Sequence, residues 1–485
     1  MTHTHTFFKK PKKYYPMAPS AFMKHSGIDP MDLSKKPMLE NMQGNILKGH
    51  GRDHTTHIFL RFDKGRQPAV KKFLKTFAAE NLTSCYSQLW ERERYKRNQT
   101  PGGMFANILI SHAGLLYLDE AKYAKILPDE AFTKGMKARQ EILNDPLKEK
   151  LELPYRQNAH AMLLLADDDT TRMSKAAKEL LEKLEKFAHI ITVEYGHAIR
   201  NANGDGIEHN GYVDGISQPL FFKDEIDFYA KFHSVPLQKL QFDPSADPSL
   251  VLINDPLVPD LKDCYGSYFV FRKLEQDVRG FKKAEEKIGE KLFDDEKDKE
   301  KREVAGAFLV GRFEDGTPIA LSETDKLIGS GNFNNFNYDD ANTADRKCPY
   351  FAHTRKTNPR TTDSNGTAIT AKPVMARRGI TYGRREIDTA LEATHHQFPE
   401  GGVGLLFMSF QASLADQFEE IQKGMFSIPL DPLLGITKAT SFDFPNPWGS
   451  AIPRPAKFDQ FITMNGGEYF YAPSIPFFES LGDTV

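Results

Sequence analysis

Apolar positions in the first half of the chain recur in two rhythms. His57 to Phe62 (HIFLRF) alternates at a period of two and predicts a strand. Ala69 to Ala79 places Val70, Phe73, Leu74 and Phe77 on one helical face. MFANILIS, Met104 to Ser111, predicts a second strand. MLLLAD, Met162 to Asp167, predicts a third, apolar at almost every position and therefore buried on both faces. Asp167 to Thr171 supplies capping residues for a helix from Met173 to Phe187, where Ala177, Leu180, Leu181 and Leu184 stand at helical spacing. ITVEYG, Ile191 to Gly196, returns as a strand. Strand, long helix and strand, with antiparallel hairpins elsewhere, predict an α+β sheet with helices on one face.

The second half replays this theme. SYFVFRKL, Ser267 to Leu274, predicts a strand followed by a helix starting near Glu275. GLLFMSF, Gly404 to Phe410, predicts another strand that leads into a helix from Leu414 to Met425. Two copies of one strand–helix unit suggest an internal duplication. The run from Lys282 to Arg302 is dense in both charge signs and predicts a solvated helix or loop. The tail, with FPNPWG and then GGEYFYAPSIPFF, is expected to be an irregular segment packed on the second unit. Trp448 and Tyr469 to Tyr471 are expected to serve packing there.

Composition narrows the class. A chain of 485 residues exceeds one ordinary core and predicts two or three domain-sized units. Forty per cent hydrophobic and 27% charged residues describe a globular protein. Sixty-four basic residues against 66 acidic ones argue against nucleic acid or an anionic membrane as the main partner. No apolar run reaches the roughly 18 residues of a membrane span. The basic N-terminus lacks both an apolar signal core and a twin-arginine pair. The expectation is therefore a cytoplasmic protein, with export left open. Residues 1–38 are expected to form a partly disordered arm in which His3 and His5 belong to a solvated tail. Three scattered cysteines, Cys85, Cys264 and Cys348, form no CxxC or CxxCH motif.

Three segments carry candidate chemistry. In GYVDGISQP, Gly211 to Pro219, two glycines bracket Asp214 and permit tight turns close to a flat or bulky group. In CPYFAHTRKTNPR, Cys348 to Arg360, His353 is followed by Arg355, Lys356 and Arg360. A neutral imidazole can ligate iron, and clustered cations can hold carboxylates of the same cofactor. In MARRGITYG, Met375 to Gly383, Arg377 and Arg378 precede a glycine, so one can point inward while the other is solvated. An inward arginine needs an anionic partner. Together these residues form a peroxide-activating set. GxSxG and HExxH are absent from the sequence, which argues against a non-haem hydrolase.

From Asn41 to Ser474 the chain resembles the dye-decolorizing peroxidases. GxxDG stands at Gly211 to Gly215, and HxRxxNPR runs complete from His353 to Arg360. The arginine segment Arg377 to Tyr382, the later GLLFMSFQASLADQFEEIQ and the early NMQGNILKGHG follow the same family's order. The resemblance implies two ferredoxin-like α+β domains, 39–210 and 211–485, with one non-covalent b-type haem per chain in the C-terminal one. It implies His353 as axial ligand, Asp214 as distal acid–base and Arg377 as distal cation. Arg377 is preferred to Arg378 because it stands five residues before the aromatic Tyr382.

Gly215, Ile216 and Ser217 would lie along the haem edge, with Asn358, Pro359 and Arg360 near a propionate. Leu405 and Phe407, two apart on one strand, would form a dry distal wall. One departure is visible: Asn210 stands before GxxDG, where the family often has an aromatic residue. No motif identifies the carboxylate that orients His353. Asp416, Glu419 and Glu420 on the late helix are candidates.

The implied reaction uses hydrogen peroxide to oxidise dyes, phenols or other aromatic donors by one-electron steps through a ferryl intermediate. Neither nucleic acid nor membrane takes part, and a homo-oligomer is compatible with this reading. A haem-processing enzyme that releases iron and a non-catalytic haem-storage protein are the alternatives. A charged pair above the iron argues against storage.

Overall fold

The computed structural model describes residues 27–233, 245–293, 299–325, 334–338, 344–360, 374–385, 395–446 and 448–482. His3, His5 and most of the expected arm lie outside the described residues. Ile28, ahead of the expected domain start, is buried and bridges to Phe222.

In the first half, strands β1 (His54–Phe62), β2 (Phe105–Ile110), β3 (Ala161–Asp167) and β4 (Ala188–His197) alternate with helices α1 (Gln67–Asn81) and α2 (Thr170–Leu184). Every residue of β3 is buried, as its unbroken apolar run requires. The Asp169 side chain accepts from the backbone N–H groups of Thr171 and Arg172 and so starts α2. That helix buries Met173, Ala177, Leu180 and Leu184 along one stripe. The strands pair antiparallel in the order β4-β1-β3-β2. This is a ferredoxin-like unit.

The second half repeats it. Strands β5 (Tyr265–Gln276), β6 (Ala376–Arg377), β7 (Ile380–Tyr382), β8 (Gly404–Gln411) and β9 (Ile462–Ala472) give the order β7-β8-β5-β9, with β6 also paired to β8. Helices α3 (Val278–Phe293), α4 (Lys299–Val310), α5 (His353–Thr357) and α6 (Glu419–Met425) lie between these strands. The two units join edge to edge where Tyr471 of β9 pairs with Ile110 of β2. At the opposite edges Thr381 of β7 donates to the His197 carbonyl of β4, and Gly196 lies against Ile380. The sheet therefore closes on itself, with β5, β6 and β8 presenting residues to a space on the C-terminal side. A second core backs that space, built around Phe308, Phe313, Phe351, Phe442, Phe444 and Phe458.

Three expectations are corrected. Strand β5 continues to Gln276, and α3 begins at Val278 instead of near Glu275. The Gln276 N–H donates to the Val403 carbonyl at 2.9 Å, and Asp277 then accepts from the Gly280 N–H at 2.8 Å. The GGEYFYA segment is not irregular but part of β9, the strand that joins the units. Its glycines permit close approach: a Cβ on Gly466 would lie 2.0 Å from the Tyr155 ring. The charged run is not uniformly solvated. Lys282 turns inward to Glu285 (2.8 Å) and Glu314, and the buried Tyr212 hydroxyl donates to Glu285.

Candidate active site

The Gly211 to Pro219 segment begins in a small hairpin closed by a bridge between Ile207 and Val213. Gly211 (φ 98°), Gly215 (φ 80°) and Ser217 (φ 65°) all take left-handed backbone conformations, which makes the chain double back around Asp214. A Cβ on Gly211 would also collide with the Glu314 carboxylate at 2.8 Å. Asp214 accepts from the Gly215 N–H at 2.6 Å and from Arg377 Nη1 at 3.4 Å. Arg377 Nη2 donates to the Ile216 carbonyl at 2.8 Å, and its own N–H donates to Gln218 Oε1 at 3.1 Å.

Arg378 faces the other way. It donates through Nε to the Asn45 carbonyl (2.6 Å) and through Nη2 to the Ile46 carbonyl (2.8 Å). Burial pushes its pKa down to about 10. The early NMQGNILKGHG segment is thus pinned to the sheet by an inward, structural arginine, whereas Arg377 serves the cavity.

His353 opens α5 on the same cavity. Its Nδ1 lies 2.8 Å from Oδ2 of Asp431, a fully buried carboxylate. Asp431 Oδ1 accepts from the N–H groups of Leu433 (2.8 Å) and Leu434 (3.0 Å), which fixes its direction. Burial disfavours the His353 imidazolium, but the Asp431 carboxylate outweighs burial and raises the pKa above the ordinary histidine value. An Nδ1 engaged by a carboxylate leaves Nε2 for whatever occupies the cavity.

The three suggested carboxylates do other work. Glu419 is buried against Arg139 (Nε at 2.9 Å), Glu420 pairs with Lys423 at 2.5 Å, and Asp416 lies beside Ser413. No spacing rule links His353 to a residue 78 positions later. Only the tertiary fold brings Asp431 to it.

Around one cavity stand His353, Asp214, Arg377, Ile216, Ser217, Asn358, Arg360, Leu405 and Phe407. Gly215 and Pro359 are not on its wall. Sequence reasoning missed Glu208, Gln276 and Arg312, which are wall residues. Asn210, the departure from the family pattern, is also on the wall.

Arg312 Nη2 donates to Asn334 Oδ1 at 2.7 Å, and Arg360 Nη2 donates to Ser217 Oγ at 3.0 Å. Burial, and then the charge of Arg360, push Arg312 down to about 10. Among the described residues no carboxylate pairs with Arg312. One end of the cavity therefore calls for an anionic ligand group.

This donor set fits haem: an imidazole with a free Nε2, apolar walls at Leu405 and Phe407, and a cationic corner suited to carboxylates. The same cavity wall carries an acid and a guanidinium in contact, a pair suited to moving a proton and steadying negative charge.

Known proteins resemble this chain over most of its length. The family model described as the DyP dimeric alpha+beta barrel domain matches residues 41–199. The multifunctional dye peroxidase DyP2 of Amycolatopsis sp. is 38% identical over 464 residues, which cover 92% of this chain and 96% of that one. The solved structure of that enzyme matches with a TM-score of 0.84 at 36% identity, over 94% of this chain and 100% of the other. A DyP-type peroxidase from Anabaena sp. matches with a TM-score of 0.83 at 34% identity, over 96% and 99%. The chain belongs to the dye-decolorizing peroxidase family, whose members are haem enzymes. Among the described residues no helix is long and apolar enough to cross a membrane.

Proposed function

We propose that this chain is a haem peroxidase that uses hydrogen peroxide to oxidise dyes, phenols or other aromatic donors one electron at a time. The observation that carries the reading is the Asp214–Arg377 pair on the wall of the same cavity as the carboxylate-bound His353. One b-type haem per chain would be held by His353 through Nε2, with Arg312 and Arg360 on its propionates and Ile216, Ser217, Asn358, Leu405 and Phe407 along its faces and edge. The absence of CxxCH makes that attachment non-covalent. When bound, haem supplies the iron that takes up peroxide oxygen and carries oxidising equivalents to the donor.

The protein's own groups manage protons and charge. Ionised Asp214 accepts the proton from one peroxide oxygen and returns it to the other, so that water leaves. Such acid–base help is worth roughly 10² to 10⁴ in rate. Arg377 stabilises the negative charge that develops as the O–O bond breaks. Asp431 accepts the Nδ1–H of His353, fixes its tautomer and makes Nε2 a stronger donor. Leu405 and Phe407 keep bulk water from the reacting oxygens. A storage protein has no need of the charged pair.

The direct test is haem titration followed by rapid mixing with peroxide. A Soret band that changes within milliseconds and recovers only when an aromatic donor is added supports the reading; a band indifferent to peroxide overturns it.

Asp431→Asn keeps a hydrogen-bonding group but removes the negative charge. We expect it to weaken haem retention by about ten- to a hundredfold, the usual effect of losing a carboxylate behind a ligating histidine. Haem transfer to an excess of apomyoglobin measures this. Retention equal to wild type would remove Asp431 from its assigned role.

A further inference from the structure

Among the described residues only two carboxylates line the cavity, Asp214 and Glu208. The hairpin explains their proximity. The Ile207–Val213 bridge sets Glu208 opposite Tyr212 and Gly206 opposite Asp214, with Glu208 N–H on the Tyr212 carbonyl and Asp214 N–H on the Gly206 carbonyl, both at 3.0 Å. Side chains alternate along each arm, so Glu208 and Asp214 share one face as diagonal neighbours.

Their surroundings differ. Asp214 receives the cationic Arg377. Glu208 receives only a neutral donor, Gln276 Nε2 at 2.5 Å. The Oε1 of that same amide is buried without a partner, so Gln276 has an acceptor to offer a protonated Glu208 when the amide turns over. Two carboxylates in one enclosed space do not readily ionise together, and the one without the cation retains the proton.

We propose that Glu208 is a positioning residue for Asp214: it keeps the proton of the pair, so that Asp214 is the carboxylate left charged beside Arg377. This rests on reading Asp214 as the acceptor of the peroxide proton.

Burial, and then the charge of Asp214, push Glu208 up to about 7, against the opposing pull of Gln276, His353 and Arg377. These four residues stand on the hairpin, β5, α5 and β6. Below that ionisation one negative charge faces Arg377; above it two do. The second charge opposes the negative charge that Arg377 must stabilise on peroxide, so the peroxide step slows as pH rises through neutrality. A like charge worth one pKa unit slows it about tenfold.

The test mixes haem-loaded wild type, Glu208→Gln, Glu208→Asp and Asp214→Asn with peroxide between about pH 5 and about pH 9. Infrared difference spectra of the same proteins across neutrality follow the protonated carboxyl directly. In wild type we expect a decline of about tenfold with an inflection near neutrality, together with loss of a protonated-carboxyl band. Glu208→Gln should lack both the inflection and the band, and Glu208→Asp should restore them.

An inflection retained in Glu208→Gln, even with a uniformly slower rate, overturns the proposal, as does a carboxyl band that survives the substitution. If Glu208→Gln does not fold, Gln276→Leu replaces it. Removing that donor should move the inflection upward, and an unmoved inflection counts against Glu208. Wild-type behaviour in Asp214→Asn would sink the reading of Asp214 instead, while the infrared band still reports where the proton resides.

Discussion

His353→Ala is expected to abolish the normal Soret band on haem titration and to lower haem affinity by more than about a hundredfold. Among the described residues His353 is the one imidazole on the cavity wall, and its Nδ1 is already committed to Asp431. Removing the ring would take away the proposed iron donor and leave Asp431 as a buried carboxylate without that partner. Asp431 retains the Leu433 and Leu434 N–H groups, so the surrounding fold should persist. Far-ultraviolet circular dichroism checks this. A folded His353→Ala protein with a wild-type Soret band and turnover would show that another residue holds the iron.

Arg377→Leu is expected to slow the peroxide step by roughly 10² to 10³, the effect of losing one preorganised group that meets developing negative charge. Arg378→Leu should leave that step near its wild-type rate and act on stability instead. Its guanidinium satisfies the Asn45 and Ile46 carbonyls, and leaving buried acceptors unpaired costs about 1–3 kcal/mol. Stopped-flow rates together with denaturant midpoints for the two variants separate the roles. If the variants exchange their effects, the arginine facing Asp214 has been placed one residue too early.

The framework of the fold is legible because its strands and helices bury apolar residues in regular rhythms. The strands at His54–Phe62 and Ala161–Asp167 and the helix at Thr170–Leu184 follow directly from such rhythms. What local pattern conceals is where tertiary packing overrides a residue's usual meaning. Gly466 and Gly467 read as strand breakers, yet in β9 they make room for Tyr155 and Met136. Lys282 and Glu285 read as solvated charges, yet they neutralise each other in the interior.

The site divides in the same way. Asp214, His353 and Arg377 lie in compact motifs that can be recognised along the chain. Asp431, Arg312 and Glu208 lie in no such motif: Asp431 reaches His353 from a loop, while Arg312 and Glu208 reach the cavity from just past a helix end and from a hairpin arm. Their chemistry depends on which neighbours the fold gives them. Asp416, Glu419 and Glu420 were plausible partners for His353 by chemistry alone, but Arg139 and Lys423 engage two of them.

The claim that Asp214 and Arg377 together activate peroxide above His353 is tested most directly by one measurement. Haem-loaded wild type and Asp214→Asn are mixed with peroxide at a series of pH values from about 4 to about 8, and the Soret change is timed before any donor is added. The wild-type rate should exceed that of the variant across the range, because a carboxylate can accept the peroxide proton and an amide cannot. Asp214→Asn should be slower at neutral pH by roughly 10² or more, with haem binding preserved. An Asp214→Asn protein that reacts at the wild-type rate across the whole range would contradict the account and leave Arg377 to act alone.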